Sequence, residues 1–493
     1  MDCFSKLPPE LRIRIFSQFT STSTIFRLVQ ASPIMLSQYR ASKTTIRRQY
    51  VVNLLAGDRH EDLLQDALGL LHLELSDKRP DNHVLKYIIM QWNAKSLPNP
   101  FEEKDQATIA KLYKLFSSMS MFVEDYISKA TSSNPPQAYL CLPQIDDPNK
   151  GLYYKELSFS PRQVTLDDLT SSECHSLIRA FIRYDMFCKI HAPKVALLTD
   201  DNEYSAISKK AFEELTNCEC EALSCVFDYV IDVYGALFAA STRYSTRHAS
   251  STLQDTPANP ARLLYPDNLY FDPKLAYDAM KLPSERFRGY ILSVLVFDLL
   301  GDLVRFANKA QPEDMRSWFY TIISHWSKSG DKLLHYYRFP FLYRFLGNRF
   351  LENPVSRRDG SLRSLLVQRL LSADRIWDSG QCHVLSWCRQ KIMFRQRAWV
   401  FLDDTRLLQK GLDHFPAIED LEKHSTAERT LFHAEKRQRL RRLQLCHYRR
   451  EAGIGDTQNE GREYIFKPNN EDSIPRFFDQ SGTRNVTTFW QHI

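Results

Sequence analysis

The chain has 493 residues, a net charge of +6, and hydrophobic and charged fractions of 43% and 25%, as in an ordinary globular protein. With only 15 glycines, a fold of many strands joined by tight turns is disfavoured and an all-α fold is expected. Met1 is followed by Asp2 without an apolar segment, so no signal peptide is predicted, and residues 290–304 are too short and too charged to span a membrane. Ten cysteines in so long a chain predict a reduced, cytoplasmic or nuclear protein without a membrane partner.

The first helix is predicted to begin at Pro8 and Pro9, because proline's fixed φ suits a first turn. Two apolar stripes run along it, one made by Leu11, Ile15 and Phe19 and the other by Ile13 and Phe16. A helix that is apolar on two sides is expected to bury one side and to offer the other to a partner.

The polar run Thr20–Thr24 is predicted to end this helix and to cap a second one at Ser23 or Thr24. Ser32 and Pro33 then mark the start of a third helix. The sequence therefore predicts three short helices within residues 4–40.

These three helices resemble an F-box, in the F-box-like form common in fungal proteins. The matching positions are Leu7, Pro8, Glu10, Leu11, Ile15, Phe19 and Leu28. The resemblance implies that residues 1–45 dock on the Skp-type adaptor of a cullin–RING ubiquitin ligase, while the remaining chain recruits an unknown substrate protein. Together with the two-sided first helix, it implies an adaptor contact made by Leu7, Pro8, Leu11, Ile15, Phe16 and Leu28. The sequence departs from many members at Ala31–Pro33, where cysteine and basic residues are common, and at Tyr39, which replaces Trp.

The rest of the chain is predicted to be an irregular helical bundle or solenoid-like body, since no repeat of fixed period occurs. Residues 46–130 form a front helical block, and 131–171, rich in Pro, Ser, Asn and Asp, form a linker or loop. Residues 172–450 form a helical body with a loop at 243–282, as one subdomain or two. Residues 451–493 form a loosely ordered tail.

Chemistry-bearing motifs are scarce. Cys218, Cys220 and Cys225 lack the spacing of zinc hooks and are predicted to be buried thiols, with Cys218 and Cys225 on one face. No nucleotide-binding loop, nucleophile elbow or zinc-protease motif occurs. The prediction is a protein that is not an enzyme, with no catalytic residue, metal ligand or cofactor.

Residues 382–408 are predicted to form one helix rich in Trp and Arg. Within it, Arg395–Leu407 is similar to a second block of fungal F-box-like proteins in which Gly-Trp-x-Phe-Trp-Asp is usual; Ala398 and Leu402 replace the Gly and the second Trp. The expected role is structural, as an aromatic core with Arg–Asp pairing.

Residues 381–450 hold 15 Lys and Arg against 8 Asp and Glu, which accounts for the whole net charge. The densest cluster is Lys436, Arg437, Arg439, Arg441 and Arg442. It is interpreted as a nuclear-import signal, a surface for nucleic acid or an anionic membrane, or a solvated helix paired with Glu419–Glu422. The alternative function is an all-helical nuclear interaction or regulatory protein that uses this cluster and has no ubiquitin role.

Overall fold

The computed structural model describes residues 2–58, 60–75, 82–132, 135–139, 152–154, 157–159, 162–190, 206–207, 210, 215–241, 366, 384–410 and 414–422. The chain divides into two compact units, Met1–Pro416 and Ala417–Ile493. Helices dominate the described residues, which confirms the all-α prediction.

Four consecutive helices open the chain: α1 (Pro9–Phe16), α2 (Thr22–Ala31), α3 (Pro33–Ala41) and α4 (Lys43–Leu55). Pro8 is the N-cap of α1 and Pro9 its first residue, as predicted. Ser32 caps α3 through a hydrogen bond that its hydroxyl accepts from the Met35 N–H at 3.1 Å. The cap of α2 is Ser21, two or three residues before the predicted position, because the helix already begins at Thr22.

The middle of the first unit is built around α9 (Ser171–Ile190), which packs against α4, α5 (Asp62–Leu75), α7 (Gln106–Ala130) and α10 (Asn217–Ser241). Gly69 permits a close approach of α5, because a Cβ there would lie 3.1 Å from the Met186 sulphur. Helix α6 (Asn82–Asn93) packs on α5. The N-terminal helices share this core, since Phe16, Ile25 and Met35 belong to the same buried cluster.

An ionic network also joins α5, α9 and α10. The Arg183 guanidinium lies 3.2 Å from an Asp66 carboxylate oxygen and 2.7 Å from a Glu219 carboxylate oxygen. Trp92 donates its indole N–H to Asp66 at 2.8 Å, which ties α6 to the same group. Charged groups buried in this way are stabilised by the partners they find.

Short elements lie within the stretch predicted as a linker or loop. They are the single-turn helix α8 (Pro135–Ala138), the strands β1 (Leu152–Tyr154) and β2 (Leu157–Phe159), and a 3-10 turn at Leu166–Asp168. The two strands pair in antiparallel register, with Leu152 opposite Phe159. The 3-10 turn contacts α7.

The Trp- and Arg-rich segment is not one helix. Helix α11 (Val384–Gln396) ends after Gln396, and α12 (Asp404–Lys410) follows. Between them Ala398 has φ 53°, a left-handed conformation that interrupts an α-helix and that glycine adopts most readily. The prediction of continuous helix from 382 to 408 is therefore wrong.

The predicted loop 243–282, the predicted tail 451–493 and the basic residues Lys436, Arg437, Arg439, Arg441 and Arg442 all lie outside the described residues. Among the helices that the structure describes, none combines the length and hydropathy needed to cross a membrane. The short described part of the second unit, 417–422, contains a turn in which Asp420 accepts a hydrogen bond from the Ala417 N–H at 3.3 Å.

Candidate functional site

The candidate site is the outer surface of α1 with the two residues before it. Pro8 is exposed and Leu7 is half-buried, while Leu11 keeps 43% of its surface exposed although it is a large apolar residue. Glu10 stands in the first turn, where its negative charge is favourable beside the positive end of the helix dipole. The Leu-Pro-Pro-Glu-Leu segment is therefore a helix start, with Pro8 at the N-cap position, that presents apolar side chains to solvent.

Phe16, one of the predicted contact residues, is buried at 1% exposure. Its ring packs against Tyr39 of α3 with centroids 5.7 Å apart, and the next residue, Ser17, accepts a hydrogen bond from the Asn53 side chain of α4 at 2.5 Å. Phe16 therefore holds the end of α1 against the protein, and its side chain is not part of the exposed surface.

The other two predicted contact residues occupy an intermediate position. Ile15 and Leu28 are half-buried and pack against the hydrophobic core. The six predicted positions thus divide into an outer group, Pro8 and Leu11, an intermediate group, Leu7, Ile15 and Leu28, and the interior Phe16. Leu11, at 43% exposure, offers more surface to a partner than Leu7, Ile15 and Leu28, which are less exposed.

The turn between α1 and α2 is fastened to the body by its hydroxyl groups. Ser21 and Ser23 both donate side-chain hydrogen bonds to Glu124 of α7. Glu124 also accepts one from the Leu166 N–H at 3.2 Å. We call the contacts of Thr20, Ser21 and Ser23 with Glu124 and Asp167 the hydroxyl clamp.

Asp167 of the 3-10 turn completes the hydroxyl clamp. It accepts hydrogen bonds from the Thr20 N–H at 2.6 Å, the Thr20 hydroxyl at 2.9 Å and the Ser21 N–H at 3.1 Å. From the sequence alone, Thr20–Thr24 is predicted only to break the first helix and cap the second. The repeated hydroxyls were the available signal, but their acceptors lie more than a hundred residues further along the chain.

Burial raises the pKa of the Glu124 carboxyl, and the hydrogen bonds from Ser21 and Ser23 oppose that rise only in part. The side chain is thus held in an environment that disfavours its charged form. The hydroxyl clamp depends on a buried acidic group with several donors around it, which fixes the α1–α2 turn relative to α7.

The similar block at Arg395–Leu407 is an interior feature. Trp399 is 1% exposed and donates its indole N–H to Glu221 at 3.2 Å. Arg395 donates to both Glu221 carboxylate oxygens, at 2.9 and 3.0 Å, and to Asp228 at 3.2 Å. The predicted aromatic core with Arg–Asp pairing is confirmed, with Glu221 as an additional partner of the arginine.

A second ionic contact anchors the end of this block to α9. Arg406 donates to the two Glu173 carboxylate oxygens at 3.1 and 3.2 Å, and the Asp403 N–H donates to Glu173 at 2.9 Å. Burial alone would raise the pKa of Glu173, but these hydrogen bonds and that of the Thr170 N–H outweigh it and lower the pKa. The charged form of Glu173 is therefore the one that the fold favours.

Further apolar exposure occurs on α2 and on α6. Phe26 of α2 is 47% exposed, and Val84, Tyr87 and Met90 of α6 are 46%, 64% and 54% exposed. The three α6 residues recur at intervals of three and therefore lie along one side of that helix. The sequence signal for this exposed side is the spacing of three between Val84, Tyr87 and Met90, to which no role is assigned from the sequence.

The cysteines of α10 do not all share one environment. Cys220 and Cys225 are buried, as predicted, whereas Cys218 is exposed and does not share a buried face with Cys225. Burial raises the pKa of the Cys225 thiol, which keeps it in the unreactive thiol form. Within the described residues, no three His, Cys, Asp or Glu side chains group as a metal site would need.

Comparison of the chain with protein-family models, with curated proteins and with solved structures gives no match.

Proposed function

We propose that this protein is a non-catalytic, substrate-recruiting subunit of a Skp–cullin–RING ubiquitin ligase. In this proposal, Pro8 and Leu11 are the principal contacts with the Skp-type adaptor, flanked by Leu7, Ile15 and Leu28, and Phe16 supports them from the interior. The helical body carries the surface for an unknown substrate protein. The protein acts in the cytoplasm, the nucleus or both.

One observation carries the proposal: the F-box-like Leu-Pro-Pro-Glu-Leu segment forms the start of α1, and its Leu11 is 43% exposed. Covering the exposed part of Leu11 with a partner would be favourable, since full burial of a leucine side chain contributes about 1.5 to 3 kcal/mol. The opposite side of α1 is occupied by Phe16, so Leu11 is available without unfolding of the helix.

The hydroxyl clamp supports the mechanism of such a subunit. A recruiting subunit raises the effective concentration of its substrate near the conjugating enzyme, and this concentration depends on the stiffness of the connection. Glu124 and Asp167 hold the α1–α2 turn directly to α7 and to the 3-10 turn. A substrate bound to the helical body would therefore keep a defined distance from the adaptor.

The test is co-purification of the full-length protein with a Skp-type adaptor and a cullin. We expect Leu11→Asp, and separately Leu7→Ala with Pro8→Ala, to abolish recovery of both partners, because a charge or a lost apolar contact weakens an apolar interface. The matched control is Met90→Asp, which places the same charge at an exposed residue of α6 and should leave recovery unchanged. Thermal unfolding of each variant checks that it is folded.

Two results would overturn the proposal. One is the recovery of no adaptor with the folded wild-type protein. The other is equal recovery with wild type, Leu11→Asp and Leu7→Ala/Pro8→Ala, since adaptor binding would then not use α1.

A further inference from the structure

The first helices carry charge of a single sign, and the proposed function assigns no role to it. From Leu11 to Gly57 the chain holds seven Lys and Arg residues and no Asp or Glu. Six of the seven are arginines, and Arg14, Arg27, Arg40, Lys43 and Arg48 are exposed. Such a concentration produces a positive potential that favours an oppositely charged partner.

Four of these cations lie in the last turn of α3 and in α4. Lys43 and Arg47 are one helical turn apart on α4, and Arg40 lies in the last turn of α3. The Arg47 guanidinium lies 4.7 Å from the centre of the Tyr113 ring, and the hydroxyl of Tyr39, next to Arg40, lies 3.4 Å from the Tyr113 hydroxyl. We call Arg40, Lys43, Arg47 and Arg48 the basic ridge.

The basic ridge is not neutralised by the described residues. None of its four cations forms an ion pair with a described residue, and the contacts of Arg47 and Arg48 are with the aromatic rings of Tyr113 and Phe101. The carboxylate of Asp105, at the start of α7, is engaged in capping that helix: it accepts hydrogen bonds from the Ala107 N–H at 2.9 Å and the Thr108 hydroxyl at 2.6 Å.

We infer that the basic ridge, together with the exposed apolar residues of α1, α2 and α4, is a docking surface for an acidic protein. The inference rests on the proposed function and adds the charge of the partner and the residues that meet it. Leu11, Phe26 and Val52 are 43%, 47% and 39% exposed among the same helices. A protein interface combines apolar side chains with arginine in this way, whereas contact with nucleic-acid phosphates is made by cationic and polar groups and does not by itself require exposed leucine and valine.

Charge complementarity of this kind acts mainly on the rate of association. The test compares Arg40→Gln/Lys43→Gln with Lys111→Gln/Lys114→Gln, in the full-length protein. Both pairs are exposed, both are spaced by three residues, and both remove the same charge. At low ionic strength we expect the ridge variant to associate with a purified Skp-type adaptor about fivefold more slowly than wild type, with the α7 variant close to wild type. At high ionic strength the two variants should converge.

Poly-L-glutamate and a short DNA duplex serve as further probes. If the adaptor binds wild type but both variants associate equally fast, the inference is overturned and the proposed function stands. If the adaptor fails to bind but poly-L-glutamate binds wild type and not the ridge variant, the proposed function fails and the acidic-protein surface stands. If the duplex binds the ridge in preference to poly-L-glutamate and the adaptor, the surface is a nucleic-acid site and the inference is overturned.

Discussion

The N-terminal helices and the block at Arg395–Leu407 differ in how their apolar and charged groups are placed. In the N-terminal helices, Leu11 and Phe26 remain exposed and the cations of the basic ridge have no acidic partner among the described residues. In the block at Arg395–Leu407, Trp399 and Phe401 are buried and Arg395 and Arg406 are paired with carboxylates. Large apolar side chains and arginines are therefore exposed or without an acidic partner among the described residues in the first region. In the second region they are buried or paired with carboxylates. The difference fits the partner surface that we propose for the first region, and it shows that the second region contributes to the packed interior.

The largest effect expected from this contrast is that of Trp399→Ala. Trp399 is 1% exposed and lies 6.2 Å, ring centre to ring centre, from Phe394, so the substitution leaves a cavity and removes the indole N–H from Glu221. We expect the free energy of unfolding to fall by about 3 to 5 kcal/mol, as measured by denaturant titration. Tyr87→Ala removes an aromatic ring that is 64% exposed and should change it by less than about 0.5 kcal/mol. Equal losses in the two variants would contradict the stabilising role of the block.

A smaller effect is expected from Ser21→Ala combined with Ser23→Ala. The pair removes two hydroxyl donors from Glu124, whose carboxylate is buried, and deletes the α2 cap in which Ser21 accepts from the Thr24 N–H at 3.3 Å. An under-satisfied buried group costs about 1 to 3 kcal/mol. Amide hydrogen exchange should therefore accelerate in α2, with much less change in α9.

Thr22→Ala is the control for the hydroxyl clamp, because it removes a neighbouring hydroxyl that makes no hydrogen bond with the described residues. Exchange in α2 should remain close to that of wild type. If the double variant also left α2 exchange unchanged, Glu124 would not hold the α1–α2 turn. The fixed position that we propose for the N-terminal helices relative to α7 would then be wrong.

The sequence predicts features that depend on neighbouring residues and fails for features that depend on residues far apart in the chain. Local patterns were sufficient for the helix starts at Pro9 and Pro33, because a cap and its first turn lie within four residues. They were insufficient for Glu124, whose partners are Ser21 and Ser23, and for Phe16, whose burial depends on Tyr39 of another helix.

The end of α11 illustrates a different limit. The segment after Gln396 keeps helix-compatible residues and apolar spacing, so periodicity alone extended the helix to 408. The backbone instead turns at Ala398, whose φ is 53°, and the turn allows Trp399 to reach Glu221 and the Asp403 N–H to reach Glu173. Tertiary contacts outweigh the helical preference of the local sequence here.

The smallest predicted effect is a difference in how Glu124, in the hydroxyl clamp, and Glu173, which pairs with Arg406, change the stability of the fold with pH. The pKa of Glu173 is lowered in the folded protein and that of Glu124 is raised, while both return toward the ordinary glutamate value of 4.5 on unfolding. Ionised Glu173 therefore stabilises the fold above pH 4.5, and this contribution is lost as the pH falls through its lowered folded pKa. Ionised Glu124 has the opposite effect: stability is lost as the pH rises from 4.5 through its raised folded pKa.

The variants Glu173→Gln and Glu124→Gln remove these two titrations separately. The free energy of unfolding of wild type minus that of Glu173→Gln should increase with pH in the acidic range, whereas wild type minus Glu124→Gln should decrease with pH from 4.5 upward. The changes are small, since one pKa unit corresponds to only about 1.4 kcal/mol. Slopes of the same sign would mean that the two carboxylates lie in similar environments, and the difference between the hydroxyl clamp and the paired block would then not extend to their electrostatics. Opposite slopes follow if arginine pairing governs Glu173 while burial governs Glu124.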